Sequence, residues 1–232
     1  MESCASWPRR RVSAAPIRRP AVARGVRFGY SQRVLGAILL AACILLASPA
    51  RAQVALEEGL AAYRSGNYAK AMEVWRPLAD SGNADAQYRI GSMYAEGKGV
   101  QRNDATALTW FQRAAEHGNA AAQYNVGASY AAGAGVAQSD TEAAKWFKRA
   151  ANQGMPFAEL NLGLLYAAGR GVPQDNVEAM TWLQISLFAL PPGGARSDVA
   201  RAMQDVSSKM TSEQLQDARD RARTWKAKPE TN

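Results

Sequence analysis

The chain repeats one fifteen-residue pattern three times: AQYRIGSMYAEGKGV at residues 86–100, AQYNVGASYAAGAGV at residues 122–136 and AELNLGLLYAAGRGV at residues 158–172. The copies begin 36 residues apart, and three glycines and a valine recur at the same places in each copy. A period of about 20–50 residues is typical of proteins built from stacked structural repeats. The pattern therefore predicts an array of similar units, which favours an extended binding surface over an enzyme pocket.

Each copy of the pattern is expected to start as a helix and to end in a turn. In the first copy, Ala86, Ile90 and Tyr94 are spaced four residues apart, which places them on one face of a helix. Gly97 and Gly99 then interrupt this spacing, and glycine readily adopts the left-handed conformation that ends a helix. We therefore expect the first helix of every unit to stop at its G-x-G-V turn.

A second helix is predicted after each turn, beginning at an N-cap residue. Asn103, Ser139 and Asp175 occupy equivalent positions, and all three are residue types that cap helices. Ser139 and Asp175 each precede a glutamate by three residues, so a capping box is expected at both. Apolar residues then recur at helical spacing and include one tryptophan per unit. We expect the tryptophans to be core residues and not a ladder for stacking sugars; they are Trp75 in the preceding segment and Trp110, Trp146 and Trp182 in the repeats.

Degenerate units flank the three copies, so the expected organisation has five helix pairs. Gly66-Asn67 makes the turn of the first unit, and the last unit contains helices at about 196–209 and 212–226, with a capping box of Thr211 and Gln214. The predicted segments are a degenerate unit at 53–83, repeats at 84–119, 120–155 and 156–193, a capping helix pair at 194–226 and a tail at 227–232.

The three strings, each followed by W-F-x-R-A-A or a variant of it, resemble the Sel1-like repeat of the tetratricopeptide superfamily. The resemblance covers about residues 56–225. It implies an all-α fold, a right-handed α-solenoid of about five helix pairs, that binds a protein or peptide partner and needs no cofactor. Some cysteine-rich relatives are associated with β-lactam binding or hydrolysis. This chain lacks their cysteines after residue 52, so no enzyme activity is carried over.

Residues 1–52 have the composition of a secretory signal peptide. They contain nine arginines, no lysine and one acidic residue, and an apolar run from Val34 to Ala47 precedes Ala50-Arg51-Ala52. The predicted cleavage lies between Ala52 and Gln53. Export of this kind would place the mature protein in the periplasm of a double-membraned bacterium.

Two other outcomes stay open for this segment. Cys43 ends a short sequence that resembles a lipoprotein cleavage box, and lipidation there would anchor the chain to a membrane. An uncleaved segment would also act as an anchor, although its apolar run is shorter than the about 20 residues that span a bilayer. We expect membrane contact only through one of these two routes. The basic region is also long enough that translation could start downstream of Met1.

Removal of residues 1–52 would leave a chain without net charge. Lysine and arginine number 28 in the whole chain and 19 after residue 52, and aspartate and glutamate number 20 and 19. A nucleic-acid-binding protein needs basic residues to release counterions from phosphates, so no nucleic-acid partner is expected. Cys4 and Cys43 both precede the predicted cleavage, so no disulfide is expected after it.

The repeats contain no pattern that indicates catalysis or metal binding. His117 is the only histidine, and it comes at the end of a predicted helix, where it would meet unsatisfied carbonyls. The G-x-G turns follow helices and not strands, so they do not match a phosphate-binding loop. Besides a protein-interaction scaffold, two alternatives remain: a peptide- or glycan-binding module in the same groove, and an envelope hydrolase.

A second stripe on the first helix of each unit is expected to line the concave side of the array. In tetratricopeptide-like arrays, this stripe passes through positions that resemble Asp85, Tyr88 and Ser92 here. The equivalent positions are Ala121, Tyr124 and Ala128 in the second repeat and Phe157, Leu160 and Leu164 in the third. The resulting groove would change from polar to apolar, and a partner would bind there. Alternatively, the apolar residues of the third repeat pack beneath residues 191–194 and the final helices.

Overall fold

The computed structural model describes residues 49–230, which form ten α-helices and contain no β-strand. In chain order the helices are α1 (Pro49–Arg64), α2 (Tyr68–Asp80), α3 (Ala84–Glu96), α4 (Asp104–Glu116), α5 (Ala120–Ala132), α6 (Asp140–Asn152), α7 (Pro156–Ala168), α8 (Asn176–Ala189), α9 (Gly194–Ser207) and α10 (Ser212–Thr224). Each helix from α1 to α8 packs against the helix that follows it in the chain. The predicted all-α solenoid is therefore confirmed.

The N-cap predictions account for where the second helix of each repeat begins. Asn103 accepts a hydrogen bond from the backbone N–H of Thr106 at 2.9 Å, and Ser139 and Asp175 cap α6 and α8 in the same way. The two predicted capping boxes are wrong in their second half, however. The N–H of each N-cap residue donates to a tyrosine carbonyl in the preceding helix, and not to the glutamate three residues later. Only the box at Thr211 is complete among the described helices.

The glycines of the G-x-G-V turns end the first helices, as predicted. Gly97, Gly133 and Gly169 have φ angles of 69°, 71° and 64°, which lie in the left-handed region. A side chain there would be strained, because only glycine adopts this conformation without a steric penalty. The chain can then turn back at once into the second helix of the pair.

A glycine on the first helix lets the second helix approach closely. A methyl group on Gly91 would lie 2.7 Å from a ring carbon of Phe111, and one on Gly127 would lie equally close to Phe147. The third pair has the same arrangement with a leucine in place of the phenylalanine. The small and large residues of each pair thus interlock, and alanines fill much of the remaining core.

Three of the four tryptophans predicted to form the core are buried, and one is not. Trp75, Trp110 and Trp182 are 1%, 6% and 7% exposed, respectively. Trp146 is only half-buried: it packs against the core but is not enclosed by it, so the prediction that it is a core residue is wrong. One face of its ring is covered by the guanidinium group of Arg149, 4.6 Å from the ring centroid, whereas the buried ring of Trp110 has two arginines over it, Arg113 and Arg76.

The last two helices depart from the predicted capping pair. As expected, α8 ends just before the proline pair at 191–192. The main contacts of α9 and of α10 are then with α8, and not with each other. The reason is their polar composition: α9 buries only Val199 and Val206, and α10 buries only Ala218. Both helices therefore cover the end of the array without forming a further unit like the others.

The first described helix begins inside the predicted signal peptide. Because α1 starts at Pro49, Ala52 and Gln53 lie in its first turns. The rest of that segment, including Cys43, lies outside the described residues, and cleavage after Ala52 stays a prediction. Among residues 49–230, no helix is long and apolar enough to cross a membrane.

Candidate binding groove

The predicted stripe lies on the first helices of the three repeats, α3, α5 and α7. Each helix contributes one residue near its start, one in its middle and one a turn further along. We refer to these nine residues as the groove stripe: Asp85, Tyr88, Ser92, Ala121, Tyr124, Ala128, Phe157, Leu160 and Leu164. Equivalent helix positions thus carry polar residues in the first repeat and apolar residues in the third.

Aromatic contacts connect the stripe within and between repeats. The rings of Tyr88 and Phe111 have centroids 5.8 Å apart, and those of Tyr124 and Phe147 are equally close. Tyr124 also lies 6.3 Å from Phe157, which belongs to the next repeat. Such tilted pairs are favourable beyond the area they bury. The structure therefore brings Tyr124 and Phe157 together and leaves the two tyrosines half-buried.

The third-repeat residues of the stripe do not share one environment. Leu160 is half-buried and packs against the cluster formed by α8, α9 and α10, which supports the alternative that this end is core. Phe157 and Leu164, in contrast, are each 41% exposed. They are two of the four large hydrophobic residues that are exposed in the described part of the chain.

The first-repeat end of the stripe opens into a small cleft of about 160 Å³. Tyr88 and Ser92 line it together with residues of α1, α2 and α3: Leu60, Tyr63, Trp75, Arg89 and Glu96. None of these five residues was predicted to line the groove. Arg89 and Glu96 lie four residues after Asp85 and Ser92, so helical spacing could have added them to the stripe. The other three come from the degenerate first unit.

The cleft carries a compact set of polar groups. The Glu96 carboxylate accepts a hydrogen bond from the Tyr63 hydroxyl at 2.8 Å and pairs with Lys98 at 2.7 Å. The hydrogen bond from Lys98 lowers the pKa of Glu96, and burial raises the pKa of Tyr63. The guanidinium of Arg89 lies 5.5 Å from the centre of the Trp75 ring. This end of the groove therefore offers hydrogen-bonding groups and charge, and the other end offers apolar surface.

Asp85 and Ala121 lie at the margin of this surface. Asp85 is exposed and accepts a hydrogen bond from the Asn119 side chain at 2.9 Å, so it links the start of α3 to the N-cap residue of α5. His117 lies at the C-cap of α4, and its Nδ1 is 3.0 Å from the carbonyl oxygen of Arg113, as expected for a helix end. Within residues 49–230, no group of three or more His, Cys, Asp or Glu side chains is arranged to bind a metal ion.

The repeats match a known family. Residues 84–119, 120–155 and 156–186 each match the family model of the Sel1 repeat. These limits agree with the predicted units except at the end of the third, where the match stops before the proline pair. A search of curated proteins finds no match to the chain.

Two solved structures resemble the chain over most of its length. A Sel1 repeat protein from Oxalobacter formigenes is 31% identical, with a TM-score of 0.60, and the match covers 69% of this chain and 63% of that one. The protective antigen c5321 from uropathogenic Escherichia coli strains, which displays an SLR fold, is 26% identical with a TM-score of 0.50; the match covers 75% of this chain and 45% of that one. The chain thus spans less than two thirds of either protein.

The family model, the limits of the helices and their packing all indicate a solenoid of Sel1 repeats. Sel1 repeat proteins are generally scaffolds for protein–protein interaction, and the fold is typically not that of an enzyme. The three repeats account for α3 to α8; α1 and α2 precede them as a further helix pair, and α9 and α10 cover the other end on α8. The chain belongs to the Sel1 repeat proteins.

Proposed function

We propose that the chain is an exported interaction scaffold or regulatory adaptor of the bacterial envelope, and that it binds a protein partner along the groove stripe. The observation that carries this proposal is the exposure of two large apolar side chains of the stripe, Leu164 and Phe157, the second of which packs against Tyr124. Large apolar side chains that remain exposed next to an aromatic residue are typical of interaction sites.

The polarity of the stripe indicates the kind of segment that would fit. Apolar side chains of the partner would cover Phe157 and Leu164, and its polar groups would meet the cleft at Tyr88 and Ser92. Tyr124 lies between these ends, and it combines a large contact area with a hydroxyl group. A partner segment with apolar residues at one end and polar residues at the other would therefore match the groove.

The groove is tested by charge substitution at its exposed apolar residues. Phe157→Glu and Leu164→Glu should each abolish cross-linking to the partner in a periplasmic extract, because a buried, unpaired carboxylate opposes binding. Both side chains are partly in water, so circular dichroism and melting temperature should stay near those of the wild type. Phe188→Glu is the matched control, since Phe188 is 84% exposed on α8 and lies outside the stripe.

The result that would contradict the groove is partner capture by Leu164→Glu at the wild-type level. Unfolding of that variant would show instead that this end of the stripe is core. The binding surface would then have to lie nearer Tyr88 and Tyr124.

Export forms a separate part of the proposal. The arginine-rich segment, the apolar run and Ala50-Arg51-Ala52 support cleavage before Gln53. N-terminal sequencing of the protein from the periplasm should begin at Gln53. A lipid on Cys43 would keep export but attach the protein to a membrane, and a full-length chain confined to the cytoplasm would contradict export.

A further inference from the structure

The last described residues leave α10 and run across the second repeat as an extended segment. The Trp225 ring meets Trp182 edge-on, with centroids 6.0 Å apart, and the backbone N–H of Lys228 donates to the carbonyl of Asn152 at 2.8 Å. A methyl group on Gly154 would come within 3.2 Å of Ala227, so the segment lies close against the turn between α6 and α7. We call residues 226–230 the docked segment.

The docked segment ends in a carboxylate that the second repeat binds. Glu230 accepts hydrogen bonds from Nε and Nη2 of Arg149, at 3.0 and 2.8 Å, and from Nε2 of Gln123 at 2.8 Å. Bidentate contacts between arginine and carboxylate are among the stronger hydrogen bonds in proteins. The same contact with Arg149 lowers the pKa of Glu230.

The groups that bind Glu230 are positioned without it. The Arg149 guanidinium stacks 4.6 Å from the centre of the Trp146 ring and donates to the carbonyl of Ala115 at 3.2 Å. Gln123 is fully buried and donates to the same carbonyl at 3.1 Å, and it accepts a hydrogen bond from Gln153 at 2.8 Å. None of these contacts involves the docked segment. The second repeat therefore contains a preformed carboxylate site, and the segment is its ligand.

The first repeat contains a glutamine and a stacked arginine at the equivalent positions. Gln87 is buried and donates to the carbonyl of Ala79 at 2.9 Å, and Arg113 stacks 4.8 Å from the centre of the Trp110 ring. His117 replaces Gln153, with its Nδ1 3.3 Å from Oε1 of Gln87. Within residues 49–230, Arg113 forms no ion pair with a carboxylate. The repeat period thus places a second arginine, stacked in the same way, next to the occupied site.

We infer that the ends of α4 and α6 form a binding site for an extended acidic peptide of a partner protein, and that the docked segment occupies its second-repeat half in cis. The segment shows the chemistry that the site accepts: extended backbone on the α6–α7 turn and a carboxylate on Arg149. A partner with two acidic residues would displace Glu230 and also reach Arg113. This site uses the second helices of the repeats, so it goes beyond the groove proposed above and does not depend on it.

The docking of residues 226–230 sets an upper limit on the dissociation constant of the site for a free peptide. A ligand tethered by a short segment has an effective concentration of about 1 mM. Because the segment is docked, a free peptide of the same sequence should bind an emptied site with a dissociation constant below about 1 mM. In the wild type, the tethered segment competes with the free peptide and should weaken its apparent binding by about twofold or more, the factor being one plus the ratio of the effective concentration to the dissociation constant.

The test uses the full chain and a fluorescent peptide with the sequence of residues 226–232, followed by anisotropy. We expect saturable binding to the Glu230→Gln variant, and binding about twofold or more weaker to the wild type. Adding Arg149→Gln to the Glu230→Gln variant should abolish binding. Lys148→Gln in the same background is the matched control, because it removes the same charge from the neighbouring, exposed position and should leave binding unchanged.

Three results would overturn the inference. One is the absence of binding to the folded Glu230→Gln variant at peptide concentrations up to about 1 mM. Another is equal binding by the Arg149→Gln and Lys148→Gln variants. The third does not depend on the folding of any variant: a peptide with glutamine in place of its glutamate that binds as well as the original would show that no carboxylate is recognised.

Discussion

The second and third repeats each bury a polar side chain at the same helix position, but only the second repeat gives it hydrogen-bond partners. Gln123 donates to the carbonyl of Ala115 and accepts from Gln153, and it is fully buried. Glu159, which is 36 residues further along, is 1% exposed, and neither of its carboxylate oxygens has a partner among the described residues. Burial raises the pKa of Glu159 to about 7.

The partners are missing for two reasons. An ionised carboxylate cannot donate to a carbonyl as the Gln123 amide does, and the second helix of the third repeat has changed. Ile185 and Ala189 stand where the second repeat has Arg149 and Gln153. The array thus keeps a polar residue on the first helix after the second helix has become apolar. A buried polar group in a repeat protein depends on its neighbouring helix, and copies of one unit differ in stability where that neighbour differs.

Of the substitutions that compare the two repeats, those of their tryptophans should have the largest effect on the free energy of unfolding. Trp182 is buried, donates to Glu178 at 3.1 Å and contacts Trp225, whereas Trp146 is half-buried. Trp182→Ala should lower the free energy of unfolding by about 3–5 kcal/mol. Trp146→Ala should lower it by about 1–2 kcal/mol, because less apolar surface is lost. Urea denaturation of both variants would measure this, and equal losses would show that the exposure of Trp146 does not matter.

The contrast between the tryptophans shows where sequence analysis reaches its limit in this fold. The period, the N-caps and the glycines are local signals, and they predict where the first helix of each repeat ends and where the second begins. What covers a tryptophan is not local. Trp182 is covered by Trp225 from beyond the last helix, and Trp146 is covered by an arginine on its own helix.

Replacing the unpartnered carboxyl by an amide should remove the difference at the buried position. Glu159→Gln restores the residue type found in the first two repeats, and its amide can donate to a carbonyl as Gln123 does. At pH 8 we expect an increase of about 2–3 kcal/mol in the free energy of unfolding, since each unit of pKa shift corresponds to about 1.4 kcal/mol.

The pH dependence of this effect has a definite sign. The pKa of Glu159 is higher in the folded protein than its ordinary value of 4.5, so the folded state binds the proton more tightly. Protonated Glu159 therefore makes its full contribution to the stability of the wild type below about pH 4.5, and this contribution is lost as the pH rises through about 7. Thermal melts between these pH values should show a falling melting temperature in the wild type, and a smaller fall in Glu159→Gln. Glu213→Gln, at an exposed residue of α10, should follow the wild type.

The reverse substitution should transfer the defect to the second repeat. Gln123→Glu places a carboxylate against the Ala115 carbonyl and beside Glu230, which disfavours the charged form. Arg149 lies close enough to offset part of this penalty, so we expect a loss of about 1–2 kcal/mol at pH 8. Chemical denaturation would measure it. Addition of Glu230→Gln should recover part of the loss, and a Gln123→Glu variant as stable as the wild type would contradict the role assigned to the amide.

The candidate sites were predictable only in part, for the same reason. Helical spacing predicts that Tyr88, Tyr124 and Leu160 share a stripe, but it does not predict which of them other helices cover. The contact between Glu230 and Arg149 joins residues 81 positions apart, and no period connects them. Resemblance between units predicts the scaffold of a site, and the contacts made by non-repeating segments decide how it is occupied.

The smallest expected effect concerns the ion pair that joins the third repeat to the second. Arg170 lies in the G-x-G-V turn of the third repeat, and it forms a bidentate pair with Asp140 at 2.9 and 2.8 Å. The equivalent residue of the second repeat is Ala134, so the junction between the first and second repeats lacks this contact. Both partners of the pair are partly exposed. Arg170→Ala should therefore lower the free energy of unfolding by only about 0.5 kcal/mol.

Salt dependence distinguishes this junction from a purely local contact. The loss caused by Arg170→Ala should shrink in about 0.5 M NaCl, where exposed charges are screened. Arg102→Ala is the control, because Arg102 pairs with Asp104 two residues away and joins no repeats. Its removal should leave the melting temperature almost unchanged at either salt concentration. If both variants lose the same small amount, the pair between Arg170 and Asp140 contributes nothing specific to the stacking of the third repeat on the second. The packing of α6 against α7 then carries that junction.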